Sequence, residues 1–302
     1  MTVAAIEAGG TKFVIGLYRS EGGKDSPPLL LARETIPTLR PEETLARAGD
    51  IIEKAGAQYG RPEAMGLGSF GPVDLRPGSP TWGSVTSTPK PFWSGVDMAG
   101  YFKKRFGLPV AFDTDVNAAA YGEKLWGAAR GLEDFVYITV GTGIGGGVVS
   151  GGRLVHGLSH PELGHIRLAR EPSDPFPGLC PYHGDCLEGL AAGPAIGKRW
   201  NCRAEDLPPD HEAWELEATY LARAIAVYAL VVSPELVILG GGVGMRQGLA
   251  ERVSTLLGQE LAGYLPALAR TEPLSAFVRR PELGSEAGLL GSAALALALD
   301  GE

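Results

Sequence analysis

Residues 135–149 read Phe135-Val136-Tyr137-Ile138-Thr139-Val140-Gly141-Thr142-Gly143-Ile144-Gly145-Gly146-Gly147-Val148-Val149. The β-branched and aromatic run over 135–140 predicts a buried strand, the glycines a turn, and Val148 onward a returning strand. Gly141, Gly143 and Gly146 have the spacing of a dinucleotide fingerprint, but that fingerprint must open a helix, and here a strand follows. No Walker-type lysine follows the glycines. The stretch therefore predicts a hairpin whose bare amides, with the Thr142 hydroxyl, form a concave nest for phosphate oxygens.

The chain begins with the same device. Residues 3–8 predict a buried strand, Gly9-Gly10 a tight turn and 12–18 the return, with Thr11 and Lys12 at the tip. Either hairpin alone is compatible with an ordinary turn that needs φ > 0 residues. Two at equivalent places predict an internal duplication: two α/β lobes, each offering a glycine hairpin to one polyphosphate. A third cluster, Gly240-Gly241-Gly242 with Gly244, follows a predicted strand at 236–239 and precedes a predicted helix at 245–265. Bare backbone there lets a flat adenine ring lie close, with a helix N-terminus near the phosphates.

Working outward, helical spacing runs over 41–59, 97–106, 211–232 and 286–299, and short strands over 64–69 and 109–112. The segment between His160 and Gly193 is irregular and rich in Pro, Gly, His and Cys. The expected division is a first lobe at 1–113, onto which a C-terminal helix at about 286–302 packs back, and a second lobe at 114–285 carrying a metal loop. At 302 residues, with 44% hydrophobic and 21% charged residues, two folded lobes are affordable and disorder is not expected. A net charge of −8 offers no basic surface for nucleic acid. No basic or long apolar leader and no membrane-length apolar run are present, so a cytoplasmic location is expected.

A strand running straight into a helix is predicted around Asp113-Thr114-Asp115-Val116-Asn117. Phosphoryl transfer asks of a protein mainly positioning, charge neutralisation and an acceptor for the attacking hydroxyl's proton. Asp113 and Thr114 suffice to cap the helix, which frees Asp115 for that duty.

His165, Cys180, His183 and Cys186 form His, fourteen residues, then Cys-x-x-His-x-x-Cys. Two thiolates and two imidazoles suit a closed, structural tetrahedral Zn²⁺. His156 and His160 are alternative ligands by type, and Cys202 lies outside the pattern. A zinc at these residues would also fix Glu162 and Glu188, three residues before His165 and two after Cys186, as acceptors for sugar hydroxyls.

Together these residues resemble the ROK family of sugar kinases and sugar-responsive repressors, and most of all its fructokinase branch. Glu7-Ala8-Gly9-Gly10-Thr11-Lys12 is similar to the family's first phosphate loop, Gly141 to Gly147 to the second, and Gly240-Gly241-Gly242 to its adenosine turn. Asp115-Val116-Asn117-Ala118-Ala119 resembles the segment whose aspartate is the catalytic base. Glu162-Leu163-Gly164-His165 and Cys186-Leu187-Glu188 resemble its sugar- and zinc-binding segments. The resemblance implies a two-lobed, actin-like (ribonuclease H-like) fold, Mg-ATP as donor, a structural Zn²⁺ and a homodimer. The chain departs from the family at Glu7, where aspartate is usual, at Thr114, where asparagine is usual, and in a zinc loop with two cysteines and a histidine instead of three cysteines. These departures, with Ser87-Thr88-Pro89-Lys90-Pro91-Phe92-Trp93, are those of the fructokinase branch.

The expected reaction is ATP + D-fructose giving ADP + D-fructose 6-phosphate, with closing lobes excluding water. Asp115 accepts the hydroxyl proton; Gly9, Gly10, Thr11, Lys12, Thr142, Gly143, Gly193, Gly241 and Gly242 hold ATP, with Mg²⁺ near Glu7. Gly71, Pro72, Thr114, Glu162 and Glu188 orient the sugar. The alternatives are a kinase of glucose, mannose or an amino sugar, a sugar-sensing repressor, and a chaperone-like or cytoskeletal ATPase. The repressor would need a helix-turn-helix ahead of a strand that here starts almost at Met1, and the ATPase has no use for Glu162 and Glu188.

Overall fold

The computed structural model describes residues 1–21, 26–269 and 274–299. Two compact units divide the chain. The first comprises Met1–Arg130, Leu154–Pro161 and the segment from Glu286 onward; the second comprises Gly131–Arg153 and Glu162–Ser285.

The first unit is built on β1 (Thr2–Ala8), β2 (Lys12–Arg19), β3 (Leu29–Pro37), β4 (Ala64–Ser69) and β5 (Val110–Thr114), in the order β3-β2-β1-β4-β5. β1 pairs antiparallel with β2, and β2 with β3; β4 joins β1, and β5 joins β4, in parallel. Alternation along β1 sends Ala4, Ile6 and Ala8 to one face, where Leu45 and Ile52 of α1 (Pro41–Tyr59) and Phe102 of α2 (Met98–Phe106) share their core. Val3 and Ala5 go to the other face, against Leu289, Ala293 and Ala296 of the last helix, Ala287–Ala298.

That second face is packed by backbone as much as by side chains. A Cβ on Gly66 of β4 would run into the Ser292 carbonyl oxygen, and one on Gly291 into the Ala118 carbonyl oxygen of α3 (Asp115–Trp126). A Cβ on Gly68 would stand 2.8 Å from the Ala118 Cβ and 3.2 Å from the Asp115 Cα. Glycine in β4 is what lets the head of α3 sit directly on the sheet.

The second unit repeats the plan. β6 (Phe135–Val140), β7 (Ile144–Ser150), β8 (Arg153–Leu154), β9 (Leu236–Gly240) and β10 (Val278–Arg279) form a sheet in the order β8-β7-β6-β9-β10. β6 and β7 are antiparallel, and β6, β9 and β10 are parallel neighbours. Strand for strand this is the first sheet again, and each sheet opens with its glycine hairpin. The chain thus has the expected duplicated actin-like fold. Its described helices include α4 (Leu187–Ala191), α5 (Gly193–Trp200), α6 (Ala213–Val232), α7 (Gly241–Gly244) and α8 (Leu249–Leu261), with a short turn of helix at Pro266–Ala269.

Several expectations need correcting. The boundary expected at 113/114 falls instead after Arg130, because α3 is packed between β4 and the last helix. Leu154–Pro161 also joins the first unit. The helix expected at 245–265 is the shorter α8, Leu249–Leu261, and the four-residue α7, Gly241–Gly244, precedes the expected start inside the glycine cluster. α4 and α5 lie at the end of, and just beyond, the segment read as irregular. Positions 300–302 of the expected C-terminal helix lie outside the described residues. No described helix is long and apolar enough to cross a membrane.

Candidate active site

In the first unit the β1–β2 hairpin is held by Gly9 N donating to Lys12 O at 2.9 Å and by Thr38, whose hydroxyl donates to Gly9 O at 2.8 Å. A Cβ on Gly10 would meet nothing within 4 Å, so the tip of the hairpin at Gly10 borders open space. Glu7 lies on the face of β1 that carries the last helix, its carboxyl group packed on Gly288, where a Cβ would come within 2.6 Å of Glu7 Cδ. Burial raises the Glu7 pKa, with Lys12 opposing and Glu286 reinforcing the shift. A divalent cation beside the Glu7 carboxyl group would restore the charged form that burial disfavours.

The predicted strand-to-helix corner is present, with its roles redistributed. Thr114 is the cap: its Oγ1 accepts from Asn117 N at 3.0 Å, and the residue is 3% exposed. That oxygen serves the helix start first, so what Thr114 contributes is the shape of the corner. Asp113, expected to share the capping, accepts instead from Thr114 N at 2.8 Å and from the Asn117 side-chain amide at 2.7 Å. Asp115 is the first residue of α3, partly exposed, with Oδ1 accepting from Val116 N at 2.9 Å. Its carboxylate sits at the positive end of the helix dipole. The Gly71–Pro72 peptide is cis and follows directly on β4, where Phe70 N donates to Ala8 O at 2.7 Å.

In the second unit three predicted nucleotide elements converge. The β6–β7 turn is closed by Gly141 N donating to Gly143 O at 2.9 Å. Gly193 N, at the start of α5, donates to Gly141 O at 2.8 Å, and a Cβ on Gly193 would stand 3.0 Å from that oxygen. Gly241 adopts φ 82°, and a Cβ on it would run into Val140 O. Gly242, next to it, faces open space. Gly141, Gly193, Gly241 and Gly242 therefore lie together, while Thr142 and Gly143 belong to the same β6–β7 turn, whose Gly143 borders the Glu188 carboxylate.

The four expected metal ligands are also together: Nδ1 of His165, Sγ of Cys180, Nδ1 of His183 and Sγ of Cys186, with one ligand atom from each all within 4.8 Å. Cys180 Sγ is 3.7 Å from Nδ1 of both His165 and His183, and Cys186 Sγ is 3.5 Å from His165 Nδ1. A zinc tetrahedron with bonds of about 2.3 Å to sulfur and 2.0–2.1 Å to nitrogen has S–N edges of about 3.6 Å. The donor set and its spacing fit that ion. His156 and His160, alternative ligands by type, are bonded elsewhere in the first unit, to Asp113 and to Val73 N.

Glu188, in the first turn of α4, accepts from Ile144 N at 2.9 Å through Oε2, while Oε1 lies 3.9 Å from His165 Nε2. Glu162, just before the Leu163–His165 turn, keeps an exposed surface, yet the protein around its carboxyl group pushes it up to about 7, with repulsion from Glu188 second. One acid here is committed to structure; the other is poised to titrate near neutrality.

Sequence reasoning missed the buried anchor of the metal segment. Asp174 pairs with Arg199 at 3.1 and 3.2 Å and accepts from Tyr220 Oη at 2.7 Å, tying the segment to α5 and α6. Nothing in the local pattern around Asp174 announces partners 25 and 46 residues away.

The chain matches the model of the ROK family over residues 3–299. It is 44% identical to a fructokinase of Zymomonas mobilis over 98% of this chain and 96% of that one. It is 40% identical to a fructokinase of Pediococcus pentosaceus over 99% and 98%. Among solved structures it resembles a ROK hexokinase from Thermus thermophilus, with a TM-score of 0.77 and 31% identity over the whole of both chains.

Proposed function

Because the chain belongs to the ROK family, we propose that it is a fructokinase, carrying the γ-phosphoryl group of ATP to D-fructose with Asp115 as the proton acceptor. The observation that carries this reading is the duplicated sheet, each copy opening with a glycine hairpin, together with a carboxylate at the head of α3. Its likeness to fructokinases at 40–44% identity supports fructose as the substrate.

The hairpin amides of Gly9 to Lys12 and of Thr142 and Gly143 hold the phosphates, and Gly193, Gly241 and Gly242 admit the nucleoside. Mg²⁺, held near Glu7, supplies charge neutralisation on the polyphosphate. Asp115 takes the proton of the terminal hydroxyl as that oxygen attacks in line. Glu162, Glu188, Thr114 and the Gly71–Pro72 turn shape the sugar site. A structural Zn²⁺ on His165, Cys180, His183 and Cys186 fixes the segment that presents the two glutamates. The same reading takes the enzyme to be a cytoplasmic homodimer.

The test is kcat/KM for ADP release with fructose, glucose and mannose under Mg-ATP. Fructose should lead the panel; a lead for glucose or mannose would assign the other hexose.

A further inference from the structure

Asp113 is bonded to Thr114, Asn117 and His156, and the last of these bonds comes from a segment with no assigned role. Its side chain is 6% exposed, and Oδ2 lies 2.9 Å from His156 Nε2, while Oδ1 holds Thr114 N and the Asn117 amide. His156 belongs to Leu154–Pro161, the strap that joins the first unit although the chain on either side lies in the second. Four residues on, His160 Nε2 accepts from Val73 N at 3.1 Å, and a Cβ on Gly71 would stand 3.2 Å from His160 Cε1. One strap thus fastens two imidazoles to two stretches: the Asp113–Asp115 corner and the Gly71–Val73 turn.

The two rings suit opposite jobs. The hydrogen bond to Asp113 raises the His156 pKa, so this ring donates to a carboxylate and favours the charged form. Burial lowers that of His160, which suits the neutral ring that must accept an amide proton. The Asn117 Oδ1 is buried with no hydrogen-bond partner, so its amide nitrogen is the atom that commits Asn117 to Asp113. The corner is therefore held through the Asp113 carboxylate, and the Asp113 carboxylate by His156.

We propose that His156 is a positioning residue for phosphoryl transfer: through Asp113 it holds the corner from which Asp115 accepts the sugar's proton, with His160 anchoring the same strap. This rests on the reading of Asp115 given above. Without the imidazole, Oδ2 is a buried carboxylate oxygen stripped of its charge-assisted partner. It must then recruit water or a proton, and the bonds that Oδ1 makes to Thr114 and Asn117 shift with it. A small displacement of Asp115 falls on the transition state more than on binding.

The experiment compares wild type, His156→Ala, His156→Gln, Asp115→Asn and the double variant His156→Ala/Asp115→Asn. It measures ADP release per active site with fructose, and the Tm of each chain. His156→Ala should lower kcat about 10–100-fold and leave the KM for ATP within about twofold, as for an interaction that matters in the transition state. His156→Gln, which can place an N–H on Asp113, should recover to within about fivefold of wild type. In the Asp115→Asn background, His156→Ala should add less than about twofold, because both changes act on one group. Should the alanine chain fail to fold, His156→Asn, too short to reach Asp113, replaces it against His156→Gln. Turnover within about threefold of wild type in His156→Ala, or losses that multiply in the double variant, would overturn the proposal. A lowered Tm with unchanged turnover per active site would overturn it too, leaving only a structural role. If wild type turns over fructose and Asp115→Asn does as well, the reading of Asp115 fails instead.

Discussion

The Glu188 carboxylate accepts the amide of Ile144, the first residue of β7, at 2.9 Å. That bond ties the metal segment to the second glycine hairpin, and a Cβ on Gly143 would stand 2.7 Å from the same carboxylate oxygen. Glu188, two residues beyond Cys186, therefore braces the β6–β7 turn.

Loss of that brace should be felt at the nucleotide. Glu188→Ala leaves Ile144 N without its acceptor, at a cost of about 1–3 kcal/mol. Urea unfolding should register the loss, and the KM for ATP should rise along with that for fructose. A chain affected only in its KM for fructose would show that Glu188 serves the sugar alone.

Metal removal tests the same link from the other end. Metal analysis should find one Zn²⁺ per chain, and a chelator or Cys186→Ser should lower Tm and ATP affinity together. Structural zinc contributes roughly 10–16 kcal/mol of apparent binding energy to ordering its loop. Purified enzyme with no zinc and an unaltered Tm in chelator would contradict the assignment.

Two glycines separate packing from ligand contact. Gly66→Ala drives a methyl group into the Ser292 carbonyl oxygen, with backbone on both sides and no side chain to yield. Overpacking of this kind costs about 1–3 kcal/mol or more, so Tm should fall sharply. Gly10→Ala meets nothing within 4 Å, and its Tm should stay near that of wild type while the KM for ATP rises. Equal effects on Tm would refute the view that Gly10 borders a ligand.

Glu162 sets an expected pH dependence. Its pKa, raised from the ordinary carboxylate range to about 7 by burial first and Glu188 second, means the folded chain holds that proton more tightly than the unfolded one. This group's contribution to stability therefore falls as pH rises across that window. Catalysis runs the other way: the ionised carboxylate accepts from sugar hydroxyls more strongly than the neutral acid and through both oxygens, so kcat/KM for fructose should climb through about pH 7. Glu162→Gln should flatten that limb, and an unchanged profile would remove Glu162 from the sugar site.

Much of this was legible in the chain itself. The glycine hairpins, the cap-rich corner and the Cys/His spacing are local patterns, and local patterns survive into the fold: Gly141, Gly193 and Gly241 meet, and His165, Cys180, His183 and Cys186 cluster. What stayed hidden depends on long-range packing. Asp113 looks like a cap until His156, 43 residues on, is seen bonded to it. β3 and the two-residue β10 are edge strands with weak patterns, defined by the neighbours they pair with. The boundary moved because α3 is claimed by Gly68 and Gly291, whose missing side chains carry no hydrophobic signal.

The most direct measurement is single-turnover transfer from Mg-ATP to fructose by Asp115→Asn beside wild type, with fructose binding measured on both. Wild type should form fructose 6-phosphate, and the variant should bind fructose comparably while losing about 10²–10⁴ in rate. Transfer by the variant at the wild-type rate would contradict the account at its centre.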